Sequence, residues 1–132
     1  MSKQPLYDVL VIGAGPTGLA CAIDAQNVGC SVVLVDKGCL TNSLFHYPAN
    51  MTFFTTPELL EIGNIPFPSP NQKPSRSEAL EYYRKVTAHY KLHVRPYELV
   101  QRVTGSDGNS NGTSRRHRIS IAFKYSYANR LK

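Results

Sequence analysis

The segment Tyr7–Lys37, YDVLVIGAGPTGLACAIDAQNVGCSVVLVDK, constrains this chain more than any other. Val9 to Ile12 form a short unbroken apolar run, which predicts a strand buried on both faces of a parallel sheet. The run stops at Gly13, and Gly13-Ala14-Gly15-Pro16-Thr17-Gly18 fits G-x-G-x-x-G. In that pattern the first glycine permits the tight turn. The second lets a pyrophosphate approach the backbone, and the third lets the helix lie close to the strand. Pro16 suits an early helical position, where a missing N–H is no loss. The helix reads from about Pro16 to Asn27, with Gly18, Ala22 and Ala25 on one face and Gly29 as its C-cap. Val32 to Val35 make a second buried strand, closed by Asp36 at the spacing of an acid that binds a ribose diol. Strand, glycine turn, helix, strand and acid in this order predict a dinucleotide-binding βαβ unit. Free amides and the helix dipole then favour a bound phosphate. A nucleotide-free α/β core is the competing reading of the same residues.

At 132 residues the chain is one domain's worth, with a modest core. No apolar run approaches the length of a membrane span. The N-terminus lacks a basic region followed by an apolar stretch and a cleavage site, so the cytoplasm is the expected location. The net charge of +6 is unevenly spread. Residues 1–105 carry nine Lys/Arg against eight Asp/Glu, whereas residues 106–132 carry six against Asp107 alone. The basic character therefore belongs to the tail. Such a tail can touch nucleic acid, but a solvated charged end is commoner and nucleic acid is not the expected partner. Cys21, Cys30 and Cys39 show no metal-ligand spacing, and no metal site is expected. Cys21 is expected to pack as a small hydrophobe on the first helix. Cys39 follows Asp36 and is the cysteine nearest a cofactor, with Lys37 as the candidate source of a positive field.

Beyond the βαβ unit, Gly38 to Asn50 reads as a polar and aromatic loop with short structure in it, placed where it can wrap a cofactor. Met51 to Thr56 has strand-like residues, and Pro57 starts a helix running through Glu58 to Ile62. Pro66, Pro68, Pro70 and Pro74 predict a stiff extended surface segment. Ser75 and Glu78 fit a capping box, in which each side chain satisfies an N–H at the helix start. Ala79, Leu80, Tyr83, Val86, Thr87 and Tyr90 mark the buried face of that helix. Leu92 to Arg95 predicts a third parallel strand and Tyr97 to Thr104 another. After a Gly/Ser/Asn loop over 105–113, residues 119–127 alternate with a period of two and predict a strand that pairs back as a hairpin.

Residues 7–105 resemble the YpdA-type flavoproteins, bacillithiol disulfide reductases related to the thioredoxin-reductase class. The resemblance rests on the glycine unit, VDKG at Val35–Gly38, NSLFHYP at Asn42–Pro48 and MTFFTTPELLEIG at Met51–Gly63. IPF at Ile65–Phe67 and the SRSEALEYYRKV helix complete it. It implies that the first βαβ unit binds FAD, and that in the full-length family NADPH passes hydride through the flavin to a low-molecular-weight disulfide. It implies that Gly13, Gly15, Pro16, Thr17 and Gly18 cradle the FAD pyrophosphate, and that Asp36 takes the adenosine ribose with Lys37 alongside. Asn42, His46 and Thr52 are implied to lie toward the flavin. Several members carry Cys at the position of Thr17, and a threonine forms no thiolate. The sequence also has no second G-x-G-x-x-G, no ATG-type strand end and no late Gly-Asp pair.

The expected fold is therefore α/β, a Rossmann-like parallel sheet with a small antiparallel β hairpin, truncated relative to the family. Residues 1–105 are expected to form an incomplete FAD-binding domain and 106–132 a basic tail or hairpin strand that does not resemble the family. The expected function is that of the FAD-binding N-terminal portion of an NADPH-dependent disulfide oxidoreductase, without turnover alone and with no catalytic residue assigned. Two alternatives stand beside it: an NAD-binding module using the same loop, and a non-catalytic product whose basic tail binds a partner. Homo-oligomerisation stays open, as does the choice between a natural truncation and a shifted reading frame.

Overall fold

The computed structural model describes residues 7–106 and 118–125; of the expected loop over 105–113, the first two residues continue a strand, and residues 107–113 and the end of the basic tail lie outside the described residues. Strands β1 (Val9–Ile12) and β2 (Val32–Val35) pair in parallel, Val9 opposite Val32 and Ile12 opposite Val35. Helix α1 (Pro16–Asn27) connects them. Strand β3 (Val94–Arg95), shorter than the expected Leu92–Arg95, joins the other side of β2 in parallel, giving the order β1-β2-β3. Only β2 is central, and Val33, Leu34 and Val35 are buried. No described strand pairs with the outer edge of β1, so its residues are only half-buried and Ile12 is 60% exposed. The expectation of burial on both faces thus holds for β2 and fails for β1.

α1 buries Leu19, Ala22 and Ile23 against the sheet. Cys21, expected to pack there, falls off that stripe and faces solvent. The helix ends in a Schellman motif: Gly29 has φ +90°, its N–H donates to Gln26 O, and the Cys30 N–H donates to Ala25 O.

Two short helices follow, α2 (Asn42–Phe45) and α3 (Pro57–Leu60). Met51–Thr56 forms no strand; a single bridge joins Thr52 to Ser75. α3 stops at Leu60 rather than Ile62 because Glu61 takes extended backbone. A tight turn comes next. Gly63 and Asn64 both have φ near +60°, and the Ile65 N–H donates to Ile62 O at 3.2 Å, the pattern of a type I′ turn. The proline-rich stretch is irregular as expected, but it is anchored inward by buried Phe67 and Pro74.

Helix α4 (Arg76–His89) is capped by Ser75, whose Oγ accepts from the Glu78 N–H and donates to Glu78 Oε1, both at 3.2 Å. The glutamate thus bonds the capping hydroxyl, where an N–H partner was expected. α4 buries Ala79, Leu80, Tyr82, Tyr83 and Val86; Thr87 and Tyr90 are only half-buried, and Tyr82 is an addition to the expected face. The tyrosines use both parts of their side chains. The Tyr82 ring stacks at 4.6 Å on Phe67, while its hydroxyl accepts from the Ile62 N–H at 2.9 Å and donates to Ile65 O at 2.6 Å. Tyr83 donates to Leu60 O at 2.9 Å and Tyr90 donates to Gly63 O. These bonds satisfy backbone groups over residues 60–65 that no helix or sheet satisfies.

Strands β4 (Glu98–Ser106) and β5 (Arg118–Tyr125) form the expected antiparallel hairpin, with an irregularity between Val100 and Arg102. At the opposite end of the sheet, Asp8 and Ser31 bracket the starts of β1 and β2. The Ser31 N–H donates to Asp8 Oδ2 at 2.8 Å, and the Asp8 N–H donates to Ser31 Oγ at 2.9 Å. The bond from the Ser31 N–H, then that from its hydroxyl, holds the Asp8 carboxyl below its ordinary range.

Two predictions follow from these contacts. Tyr82→Phe keeps the ring but strands the Ile62 amide and the Ile65 carbonyl; chemical denaturation is expected to show a loss of about 1–3 kcal/mol. Asp8 has a depressed folded pKa, so its contribution is present above the ordinary carboxyl value and fades as pH falls through the lower folded value. Asp8→Asn is therefore expected to lower Tm at neutral pH while narrowing the difference from the parent below about pH 4. An unchanged Tm gap across that range would count against the bracket.

Candidate functional site

The site is the turn between β1 and α1. Gly13 has φ +109°, which an L side chain rarely adopts, and its N–H donates to Val35 O at 2.7 Å. A Cβ at Gly18 would lie 2.0 Å from Gly13 O, so only glycine lets α1 lie this close to β1. Gly15 differs from both. Its φ is −84° and an added Cβ would meet nothing within 4 Å, so open space fronts it. Gly15 is also the N-cap of α1, with no side-chain cap and with Pro16 behind it. The first bond into the helix runs from the Leu19 N–H to Gly15 O at 2.9 Å. The Thr17 and Gly18 amides precede it, at the positive end of the helix.

Ala14, between the glycines, is fully buried and held at both ends of its peptide polarity. Its N–H donates to Asp36 Oδ2 at 2.7 Å, and its carbonyl accepts from the Thr41 N–H at 2.9 Å. Asp36 Oδ1 accepts from the Gly38 N–H at 2.9 Å. The carboxylate thus faces the turn and locks it, a role its sequence position did not announce. It is half-buried, and each oxygen keeps a lone pair for a further donor. Thr41 is buried with φ +52°, a costly conformation for a β-branched residue. Nothing in the sequence marks it.

The structure therefore brings Gly13, Gly15, Pro16, Thr17, Gly18 and Asp36 together. Asn42 stands one step out: its side-chain amide packs on buried Gly38, where an added Cβ would lie 2.1 Å from Asn42 Oδ1. Lys37 is exposed beside Asp36. His46 closes α2, with its ring edge-on to Phe45 at 5.5 Å, and Thr52 sits at the bridge to Ser75; both are exposed. Neither side chain joins the hydrogen bonds of the turn among the described residues. Beside the turn lies a mostly apolar groove of about 310 Å³, with Pro16, Thr17 and Ala20 on one wall and Phe53, Leu60 and Ile62 on the other.

Sequence reasoning missed Arg76. Its Nε donates to Leu44 O at 3.1 Å and its Nη2 to Phe45 O at 2.6 Å, while the guanidinium covers the Phe45 ring. The available signal was an anomaly, since a basic residue at the first position of a helix opposes the dipole. Cys39 is half-buried; burial, with Asp36 adding to it, pushes its thiol above the ordinary range, and Arg84 opposes that shift. Lys37 does not provide the positive field expected for it. Among the described residues no group of three His, Cys, Asp or Glu could hold a metal, and no helix is long and apolar enough to cross a membrane.

A sheet of this order with a glycine turn, an uncapped helix start and an acid at the next strand tip defines a Rossmann-like α/β unit. Residues 10–120 match the family described as pyridine nucleotide-disulphide oxidoreductase, and the chain belongs to that family. The match runs past the charge step near residue 105. The chain is 44% identical over 77 residues to bacilliredoxin reductase Bdr of Bacillus subtilis, covering 58% of this chain and 24% of that protein. Its fold is similar to the bacillithiol disulfide reductase Bdr (YpdA) of Staphylococcus aureus, with a TM-score of 0.78, 33% identity, and coverage of 87% of this chain and 33% of the other. The enzyme of the same name from Bacillus cereus gives 0.75, 38% identity, and coverage of 87% and 37%. The chain thus spans about a quarter to little more than a third of the length of these relatives.

Gly18 and Gly15 predict different outcomes. Gly18→Ala forces backbone apart and is expected to cost about 1–3 kcal/mol by denaturation. Gly15→Ala meets open space and is expected to cost no more than about 1 kcal/mol, the scale of an altered N-cap. Equal losses would show that the helix does not press on Gly13 as described.

Proposed function

We propose that the turn at the head of α1 binds the diphosphate of FAD. In this reading the chain is the FAD-binding portion of an NADPH-dependent flavoprotein that reduces a low-molecular-weight disulfide of the bacillithiol type. The observation that carries it is the open space at Gly15, in front of the Thr17 and Gly18 amides that start α1. Those amides suit an anion approaching along the helix axis. Gly13, Gly15, Pro16, Thr17 and Gly18 would form the cradle. Asp36 would accept from the ribose hydroxyls with the lone pairs left over from Ala14 and Gly38. Lys37 would lie alongside, and Asn42, His46 and Thr52 would face the flavin side from the two flanking segments. The names of the relatives support the disulfide reading, and the family supports the flavin.

When bound, the flavin supplies the electron-carrying chemistry, between a reduced nicotinamide and a disulfide. The chain's own residues bind and orient it. Thr17 carries no thiol, so on this reading it lines the site without attacking a disulfide. With no second glycine motif in the sequence, the chain alone is proposed to lack NADPH-dependent turnover.

Titration of the purified chain with FAD tests the reading. Flavin absorbance is expected to remain with the protein after gel filtration. Gly15→Ala is expected to weaken binding by roughly tenfold or more, because its Cβ enters the diphosphate space while stability holds. A colourless protein that binds NADH instead would favour the nicotinamide alternative. NADPH oxidation by the isolated chain with a disulfide acceptor would overturn the claim that it lacks turnover.

A further inference from the structure

We infer that Arg76 is a positioning residue for this site, one that shapes the phosphate-binding turn through two intervening segments; the inference rests on the FAD reading above. Its side chain and its backbone grip different pieces of chain. The guanidinium takes two carbonyls at the end of α2, Leu44 O and Phe45 O, at 3.1 and 2.6 Å. Its own N–H donates to Met51 O at 3.0 Å, next to the Phe53 N–H to Pro74 O bond at 2.9 Å and the Thr52–Ser75 bridge. One residue thus ties both segments that carry Asn42, His46 and Thr52 to the start of α4.

The consequence reaches the turn through α2. The Phe45 N–H donates to Thr41 O, and the Thr41 N–H donates to Ala14 O at 2.9 Å. Thr41 holds a left-handed conformation with φ +52°, which persists only where its surroundings enforce it. α2 is four residues long, too short to hold itself in water. Its clamp therefore comes from outside, and Arg76 is the charged part of that clamp. A planar guanidinium reaches two adjacent carbonyls at once, which an ammonium does not. The cation also stands at the negative end of α2, so each bond is charge-assisted.

The test uses the full chain with Arg76→Met, Arg76→Lys and, as a comparator elsewhere on α4, Val86→Ala. FAD affinity is read by flavin fluorescence well below the unfolding temperature, and amide hydrogen exchange is read without ligand. Arg76→Met is expected to weaken FAD binding by roughly tenfold, the scale on which outer supports act on a site. It is also expected to speed exchange at Thr41 and Ala14 without a matching change in the middle of α4. Arg76→Lys is expected to restore little of either. Val86→Ala is expected to lower Tm at least as much while leaving FAD affinity within about twofold, because it removes packing and not the clamp. Arg76→Met binding FAD as tightly as the parent, or Val86→Ala weakening it as much, would overturn the inference alone. A parent chain that takes up no FAD would overturn the functional reading, and the inference with it.

Discussion

The buried peptide of Ala14 is the point on which this structure turns. A turn of three glycines has little intrinsic preference for one shape. Here the ambiguity is removed by two bonds to one residue: the Asp36 carboxylate accepts from the Ala14 N–H, and the Thr41 N–H donates to the Ala14 carbonyl. Both bonds are sheltered, since Ala14 is fully buried, and a buried peptide group left unpaired would be costly. The shape of the turn is therefore decided by residues 22 and 27 positions further along the chain. Its glycines permit the geometry, and Asp36 and Thr41 impose it.

The same logic extends to the second half of the chain. Residues 60–65 carry little regular structure, yet they cross between α1 and α4 and wall the groove beside Thr17. Their backbone groups are met by hydroxyls of Tyr82 and Tyr83 in α4 and of Tyr90 at its C-cap. Burial raises the Tyr83 hydroxyl to about 12, so it stays protonated and keeps donating throughout the physiological range. The stretches LEIG-x-IPF and EAL-x-YYR are thus two halves of one contact surface. Gly63 belongs to it as well: a Cβ there would lie 2.7 Å from the Tyr90 ring and 3.1 Å from Ile23.

Much of this was legible in the sequence where the cause is local. The order β1, α1, β2, the proline at the first helical turn, the Gly29 cap and the Ser75 cap follow from residue chemistry within a few positions. The three-stranded parallel sheet and the hairpin also emerge as expected. What escaped depends on distant partners. Ile12 reads as a core residue because its run is apolar, but its burial depends on which strands flank it, and β1 lies at the edge of the described sheet. MTFFTT has strand chemistry yet finds only one bridge. Tyr82 was missed because a tyrosine beside Tyr83 cannot share its stripe at strict helical spacing; a turn packed around the helix buries it instead. Asp36 was legible as an acid at the strand tip beside the turn. That its oxygens also brace Ala14 and Gly38 was not, because a ribose and a peptide amide ask the same thing of a carboxylate.

These placements bear on what kind of chemistry the described residues can contribute. Thiol–disulfide exchange requires a thiolate, formed where positive charge or a helix start lowers the thiol's pKa. Cys39 follows Gly38, whose N–H donates to Asp36, and burial together with Asp36 moves its thiol the other way. The position that does sit at a helix start, beside the groove, is Thr17, whose hydroxyl is not acidic enough to serve. Cys21 lies on the solvent side of α1 and Cys30 in its C-terminal cap. Among the described residues, the start of α1 thus carries an oxygen at Thr17, while Cys39 sits where a negative charge is disfavoured. The same helix-start field, unused for a thiolate, is left to act on an anion approaching from outside. That field is what the proposed role of this part of the chain, holding and orienting an anionic ligand, draws on.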